Sequence, residues 1–326
     1  MQRRTLGNTA VEVSRLGLGC VTFGREIDQA ASFAVLDRAL GAGINLLDTA
    51  EAYGGGQSLE GRKARLGTED VREASTERHS SELILGRWLK ERGCRERVVL
   101  QTKVTPPLRR ERIIESAEAS LRRLQTDYVD IFMLHAFDPR TPWAEAQEAL
   151  DHLVRSGKAR TVGCSNFTAE QLASVPAGAM AVTQFNYNLA VRDAEASLFD
   201  VCRERGIGVE TYSPLGAGFL TGKYNTLQRE LPSGSRFDLI PGHADVYFHD
   251  AKFRVVDRLA TLAAHVGIPA ARLAMAWVLQ RADIDCVLIG ARHAEHIENA
   301  LEATRTKFSP AWNEHLSEKP LEVSRT

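Results

Sequence analysis

The chain lacks several features that would each point to a function class. It has no stretch near the roughly 20 consecutive apolar residues that a membrane-spanning helix needs, so no membrane partner is expected. It has no excess charge of either sign: 41 Lys and Arg stand against 42 Asp and Glu, a net charge of −1. A nucleic-acid binder acting through a broad positive field is therefore not expected either. Cysteines are few, at positions 20, 94, 164, 202 and 286, with no Cys-x-x-Cys. Their odd number and wide spacing argue against a disulfide framework or a structural zinc site, and no metal is expected. Reduced, buried thiols in a cytoplasmic protein fit better. No apolar leader follows Met1-Gln2-Arg3-Arg4, so no secretory signal is expected. Finally, Gly17-x-Gly19, Gly41-x-Gly43, Gly206-x-Gly208 and Gly216-x-Gly218 all lack the third glycine of a Rossmann phosphate turn.

The 326 residues, 44% of them hydrophobic and 25% charged, can build a large core unaided. Residues 3–6 and 11–13 around Gly7-Asn8 read as a β-hairpin. Eight apolar, β-rich runs follow: Leu16–Cys20, Ile44–Leu47, Val98–Leu100, Val129–Leu134, Ala159–Cys164, Ala181–Phe185, Ile207–Glu210 and Cys286–Ile289. Amphipathic stretches of helical length separate them, among them Arg110–Leu124 and Ala194–Arg205. Strands apolar on both faces, alternating with helices, make a parallel sheet covered on its outside. Eight such units predict an α/β fold, a (β/α)8 TIM barrel with an N-terminal hairpin, whose chemistry lies at the C-terminal ends of its strands. No linker-like composition divides residues 1–326, which predicts a single domain.

Two connections are unusually long: 51–79 after the second barrel strand and 214–250 after the seventh. The first opens with Gly54-Gly55-Gly56, which reads as a flexible hinge. Its charges, Arg62, Lys63, Arg65, Glu69 and Asp70, are expected to shape the substrate opening and to favour a hydroxylated or anionic substrate.

Just after consecutive strands stand Asp48, Tyr53, Lys103 and His135. Singly, each has a structural explanation: an Asp caps a turn, and a lone His satisfies a core. Together, at equivalent places of adjacent units, they suit one chemistry. A phenol is protonated at neutral pH and can donate. A neighbouring ammonium favours the phenolate left behind, and a carboxylate offsets the ammonium's burial. An imidazole can orient a substrate oxygen. No competing nucleophile or metal cluster is evident, so a hydride-bearing cofactor is the economical partner.

These residues, with Gly163-Cys164-Ser165-Asn166-Phe167, Gln184-Phe185-Asn186-Tyr187 and the run Tyr212 to Tyr224, resemble the aldo-keto reductases in order from about Arg3 to Leu301. The resemblance implies carbonyl reduction with NADPH/NADP, Tyr53 acting as general acid. It implies that Ser165, Asn166 and Gln184 hold the carboxamide and that Tyr212 stacks on the nicotinamide. The loop from Gly216 to Lys223, with Gly218, Leu220 and Lys223, would cover the pyrophosphate, Arg236 would help at the far end, and Ser213, Pro214 and Leu215 would be further cofactor contacts.

Independently, the last strand runs through Gly290 to Arg292 and then a helix. Free backbone N–H groups beside a guanidinium suit a 2′-phosphate. His296 and Asn299 are the implied adenine-end contacts, although relatives often carry other residue types there. Phe23 and Trp143 are candidate apolar walls of the substrate pocket. The leading reading is an NADPH-dependent reductase of a small-molecule carbonyl. The alternatives are an alcohol or sugar dehydrogenase running in reverse and a nucleotide-sensing binding subunit of the same fold. The sequence is compatible with a homo-oligomer.

Overall fold

The computed structural model describes residues 1–67, 72–224 and 235–317. The chain divides into two compact units, one made of residues 1–185, 194–212 and 283–297 and the other of 186–193, 213–282 and the residues from 298 onward.

The first unit opens with an antiparallel hairpin, β1 (Arg3–Thr5) and β2 (Glu12–Ser14), paired Arg3 to Ser14 and Thr5 to Glu12. The barrel strands are β3 (Leu16–Gly19), β4 (Leu46–Asp48), β5 (Val99–Val104), β6 (Val129–Leu134), β7 (Ala159–Ser165), β8 (Val182–Asn186), β9 (Gly208–Tyr212) and β10 (Cys286–Gly290). They close in chain order, with β10 lying between β9 and β3. This is the eight-stranded parallel barrel that the alternation predicts. Helices α1 (Gln29–Gly41), α2 (Gly55–Leu66), α3 (Ser80–Arg92), α4 (Arg110–Leu124), α5 (Trp143–Arg155), α6 (Ala169–Ser174) and α7 (Leu198–Arg205) follow the strands. The stretch 194–205 breaks into a 3-10 turn, Asp193–Ala196, and α7. Helix α6 has only six residues, too few for an apolar period to register. It is set by a capping box in which Thr168 and Gln171 satisfy each other's backbone N–H.

The hairpin closes one end of the barrel. Leu6 and Val13 pack into a core with Leu46, Ile131, Met133, Val182, Cys286 and Leu288. Gly7 makes this approach possible. Its φ is +47°, and a Cβ there would lie 2.2 Å from the amide nitrogen of Gly208. All five cysteines are buried.

Inward-facing residues alternate along each strand. Apolar residues therefore fill one end of the barrel, and the next inward positions, Asp48, Gln101, Lys103, Gln184 and Glu210, are polar and buried.

The second unit holds α8 (Arg236–Leu239), α9 (Ala244–Tyr247), α10 (Asp250–Val266), α11 (Ala270–Leu279) and α13 (Pro310–Ser317), while α12 spans Ala294–Arg305. The C-terminal stretch is folded onto this unit: the indole N–H of buried Trp277 donates to Asn313 at 3.0 Å. Phe219 anchors an aromatic cluster with Tyr224, Tyr247, Phe248 and Phe253.

The connection after β4 departs from its expected form. Gly55 and Gly56 start α2 and are not a hinge. A Cβ on Gly55 would stand 1.7 Å from the carbonyl oxygen of Ser75 and 2.3 Å from that of Gly24. Glycine is required here for close packing. Arg62 also turns inward, pairing with Glu73 through two contacts of 2.7 and 2.8 Å. Glu69, Asp70 and the Arg65 side chain lie outside the described residues, as do positions 225–234 of the second long connection.

Helix propensity alone favours Ala over Gly by about 1 kcal/mol. Packing predicts the opposite sign: Gly55→Ala should destabilise the protein by about 1–3 kcal/mol in urea unfolding. A stabilised variant would restore the hinge reading.

Candidate active site

Asp48 ends β4, Lys103 lies in β5 and His135 directly follows β6, so adjacent strands deliver three of the four groups. Tyr53 comes from the turn beyond Asp48. There the backbone N–H groups of Thr49 and Glu51 donate to the carbonyls of Gln101 and Lys103, and that of Tyr53 to Ala50. Glu51 is the first residue of the long connection 51–79. It is buried, accepting from the Thr105 N–H at 2.9 Å and from Arg112 at 2.6 Å, which pins the turn carrying Tyr53.

Lys103 is fully buried. Its ammonium has three acceptors for its three hydrogens: the Asp48 carboxylate, the Thr49 carbonyl at 3.0 Å and the Tyr53 hydroxyl at 3.4 Å. The Tyr53 ring meets that of His135 edge-on, with centroids 5.5 Å apart. Sequence reasoning brought these four residues together, and the structure places them in contact.

The electrostatics refine the expectation for Tyr53. Burial pushes its pKa up, Lys103 pulls it down, and Asp48 pushes it up again, leaving it above the ordinary phenol value. The ammonium does not outweigh the other two, so the phenol keeps its proton. Burial disfavours the charged form of Lys103, but Asp48 and Tyr53 more than offset this, and its pKa is raised. Burial, and then the Lys103 charge, lower His135 to about 4. The imidazole is therefore neutral near pH 7, and its Nδ1 is buried with no hydrogen-bond partner. A neutral phenol and a neutral imidazole side by side can bind an uncharged oxygen atom and donate a proton to it.

Beneath this set lies a layer that sequence reasoning missed. The amide nitrogens of Gln101 and Gln184 each donate to Asp48 Oδ1, at 2.7 and 3.1 Å, and to Glu210 Oε2, at 2.9 Å in both cases. The available signal was a carboxylate inside an apolar β-run and a glutamine two residues before Lys103, hence on the same strand face. Gln184 thus turns both amide hydrogens into the barrel, and its carbonyl oxygen is what it can offer a ligand.

Ser165, Asn166 and Tyr212 form one hydrogen-bonded set. Asn166 has a φ of +62° and donates to the His135 carbonyl at 2.9 Å and to Ser165 Oγ at 3.1 Å. Its Oδ1 accepts from the Tyr212 hydroxyl at 2.7 Å, which fixes that ring by its edge. A ring held by its edge and the amide oxygen of Gln184 fit a flat heteroaromatic amide, while the His135 ring with its unmet nitrogen lies against Tyr53.

After β10, Gly290 and Arg292 are exposed. The backbone N–H groups of Arg292 and His293, expected to be free, instead donate to His296 Nδ1 at 3.3 Å. Burial lowers the His296 pKa, so the neutral ring acts as an acceptor that caps α12.

Within the second unit, Ser213 has a φ of +56° and its carbonyl accepts from Asn188. Pro214 and Leu215 lead into a 3-10 turn, Gly216–Thr221, that carries buried Leu220 and left-handed Gly218. Lys223 Nζ lies 3.4 Å from where a Gly218 Cβ would be. Arg236 begins α8, and Asn299 is exposed on α12.

The two expected pocket walls fare differently. Phe23 is fully buried, a packing residue with no surface to offer a substrate. Trp143 lines a cavity of about 100 Å³ with Leu108, Phe137, Phe167 and Val175, and no tetrad residue takes part in it.

Residues 15–319 match the model of the Aldo/keto reductase family. The chain belongs to the aldo/keto reductase family. Among similar proteins is an uncharacterized oxidoreductase, YrpG, of Bacillus subtilis (strain 168), 33% identical, with 93% of this chain and 91% of that protein covered. A probable voltage-gated potassium channel subunit beta of Arabidopsis thaliana is 31% identical over 93% and 91%. The NADH-specific methylglyoxal reductase of Escherichia coli (strain K12) is 30% identical over 95% and 96%. As a member of this family the protein is an oxidoreductase on a TIM barrel, and its cofactor is a nicotinamide nucleotide.

Proposed function

We propose that the protein reduces an aldehyde or ketone to an alcohol with NADPH, Tyr53 supplying the proton. The observation that carries this reading is the Tyr53 phenol, hydrogen-bonded to buried Lys103 and in ring contact with His135, which has an unmet nitrogen. The nicotinamide cofactor supplies the hydride when bound. Tyr53 and His135 hold the substrate's carbonyl oxygen, which polarises the adjacent carbon. As negative charge grows on that oxygen, Tyr53 releases its proton to it. The phenolate then left is stabilised by the Lys103 ammonium, whose own charge Asp48 balances. Run backwards, the same groups take a proton from an alcohol.

Ser165, Asn166 and Gln184 suit the carboxamide, and the tethered Tyr212 ring suits a stacking surface. Ser213 to Lys223 and Arg236 of the second unit are assigned to the phosphates. Arg292 favours NADPH through its 2′-phosphate, whereas the name of the E. coli relative favours NADH. That relative's substrate is a small oxo-aldehyde, in keeping with a polar carbonyl here. The plant channel subunit supports a second reading, a nucleotide-binding subunit with little turnover. Steady oxidation of NADPH by aldehydes and ketones distinguishes the two.

Tyr53→Phe removes only the hydroxyl. Turnover should fall about 10²-fold or more while the Kd for NADPH stays within about twofold. A variant with wild-type turnover would remove Tyr53 from the donor role.

Arg292→Ala should weaken NADPH binding about tenfold or more, the scale of a charge-assisted contact, and leave NADH binding unchanged. Equal wild-type affinities for the two nucleotides would contradict the NADPH assignment.

A further inference from the structure

Glu210 has no part in the mechanism above, yet it sits at the centre of the barrel's polar layer. It is fully buried, and so are Asp48, Gln101, Lys103 and Gln184 around it, none more than 3% exposed. A carboxyl group is costly to bury, and an aliphatic side chain at this inward position of β9 would pack at no such cost. What the carboxyl gains is a closed ring of four hydrogen bonds. Gln101 and Gln184 each spend one amide hydrogen on Glu210 Oε2 and one on Asp48 Oδ1. Four strands, β4, β5, β8 and β9, are joined in this way, and the same Asp48 oxygen receives the Lys103 ammonium. Glu210 Oε1 is buried with no partner, which leaves room for a proton on it.

We propose that Glu210 is a positioning residue of the reaction, locking Asp48 and Gln184 beneath Lys103 and, by holding or losing its own proton, setting how readily Tyr53 gives up its proton. The inference rests on the reading of Tyr53 as the proton donor. The groups that face Glu210 are Asp48 from β4, Gln101 and Lys103 from β5, Gln184 from β8 and the Cys286 thiol from β10. Among these, Lys103 is the one cation, and Asp48 already balances it. With Glu210 neutral, the phenolate that forms at Tyr53 has the ammonium to itself. With Glu210 ionised, the phenolate becomes a third anion around one cation, so donation is harder. Burial and the Asp48 charge push the Glu210 carboxyl up to about 7, which brings the change into the working range. The direction is fixed: carbonyl reduction should slow as pH rises through this value.

Glu210→Gln copies the neutral acid in shape and keeps an oxygen for both glutamine amides, but it cannot ionise. The test measures kcat for carbonyl reduction from pH 6 to 8.5 in wild type and variant. Wild-type kcat should fall about threefold or more over this range, while the variant holds its pH 6 rate within about 1.5-fold. Glu210→Leu, which leaves two amide hydrogens, one each from Gln101 and Gln184, without their acceptor, should lower kcat at pH 6 about tenfold with little change in the carbonyl KM. In protein carrying 13C at its glutamate carboxyls, one resonance should titrate near pH 7 and be missing from Glu210→Gln. Superimposable wild-type and Glu210→Gln profiles, a wild-type rate flat with pH, or the absence of that resonance would each overturn the inference. A wild type that shows the resonance but reduces no carbonyl would overturn the Tyr53 reading, and with it the tuning.

Discussion

A lysine with no exposed surface must be matched where it stands, and in this barrel the match is Asp48 on the neighbouring strand. The ion pair sets several other choices. It fixes the register in which the end of β4 meets β5, because Asp48 lies opposite Gln101, two residues before Lys103. It requires further acceptors for the remaining ammonium hydrogens, and the Thr49 carbonyl and Tyr53 hydroxyl provide them. The phenol is thereby tied to a permanent charge inside the protein. Burial that would otherwise make its ionisation prohibitive is offset at one atom, and only when the phenolate forms.

The pair also explains why the barrel interior is polar at this end and apolar at the other. Once an aspartate is buried, its oxygens need donors, and the inward-facing glutamines of β5 and β8 supply them. The hairpin and the apolar layer beneath it carry the hydrophobic burden, with Leu6 and Val13 filling the opposite end. Folding energy and chemistry are thus separated along the barrel axis, the usual division in this architecture.

The strands, most helices and the tetrad were legible from the sequence because each has a strong local signature. Parallel strands buried on both faces read as plain apolar runs, and equivalent strand ends repeat from unit to unit. Readings failed where the outcome depended on distant contacts. Gly54-Gly55-Gly56 looks like a hinge until Ser75 and Gly24 press against Gly55. Arg62 looks solvated until Glu73 meets it. Glu210 and Gln101 were hidden for another reason: a polar residue within an apolar strand reveals its purpose only through the opposing strands. Phe23 follows the same rule from the apolar side, since its position after a strand does not tell whether its ring faces a pocket or a core.

The most direct test of this account is a double-mutant cycle on the buried pair, measuring unfolding free energy for Asp48→Asn, Lys103→Met and the two together. Either single change strands a buried polar or charged group, at a cost of about 3–5 kcal/mol where a charge is left unpaired. Removing both at once leaves no orphaned charge. The account predicts a coupling energy of about 2 kcal/mol or more, with the double variant more stable than the sum of the single losses implies. Effects that simply add, within about 0.5 kcal/mol, would show that Lys103 and Asp48 are not the interaction on which the site is built.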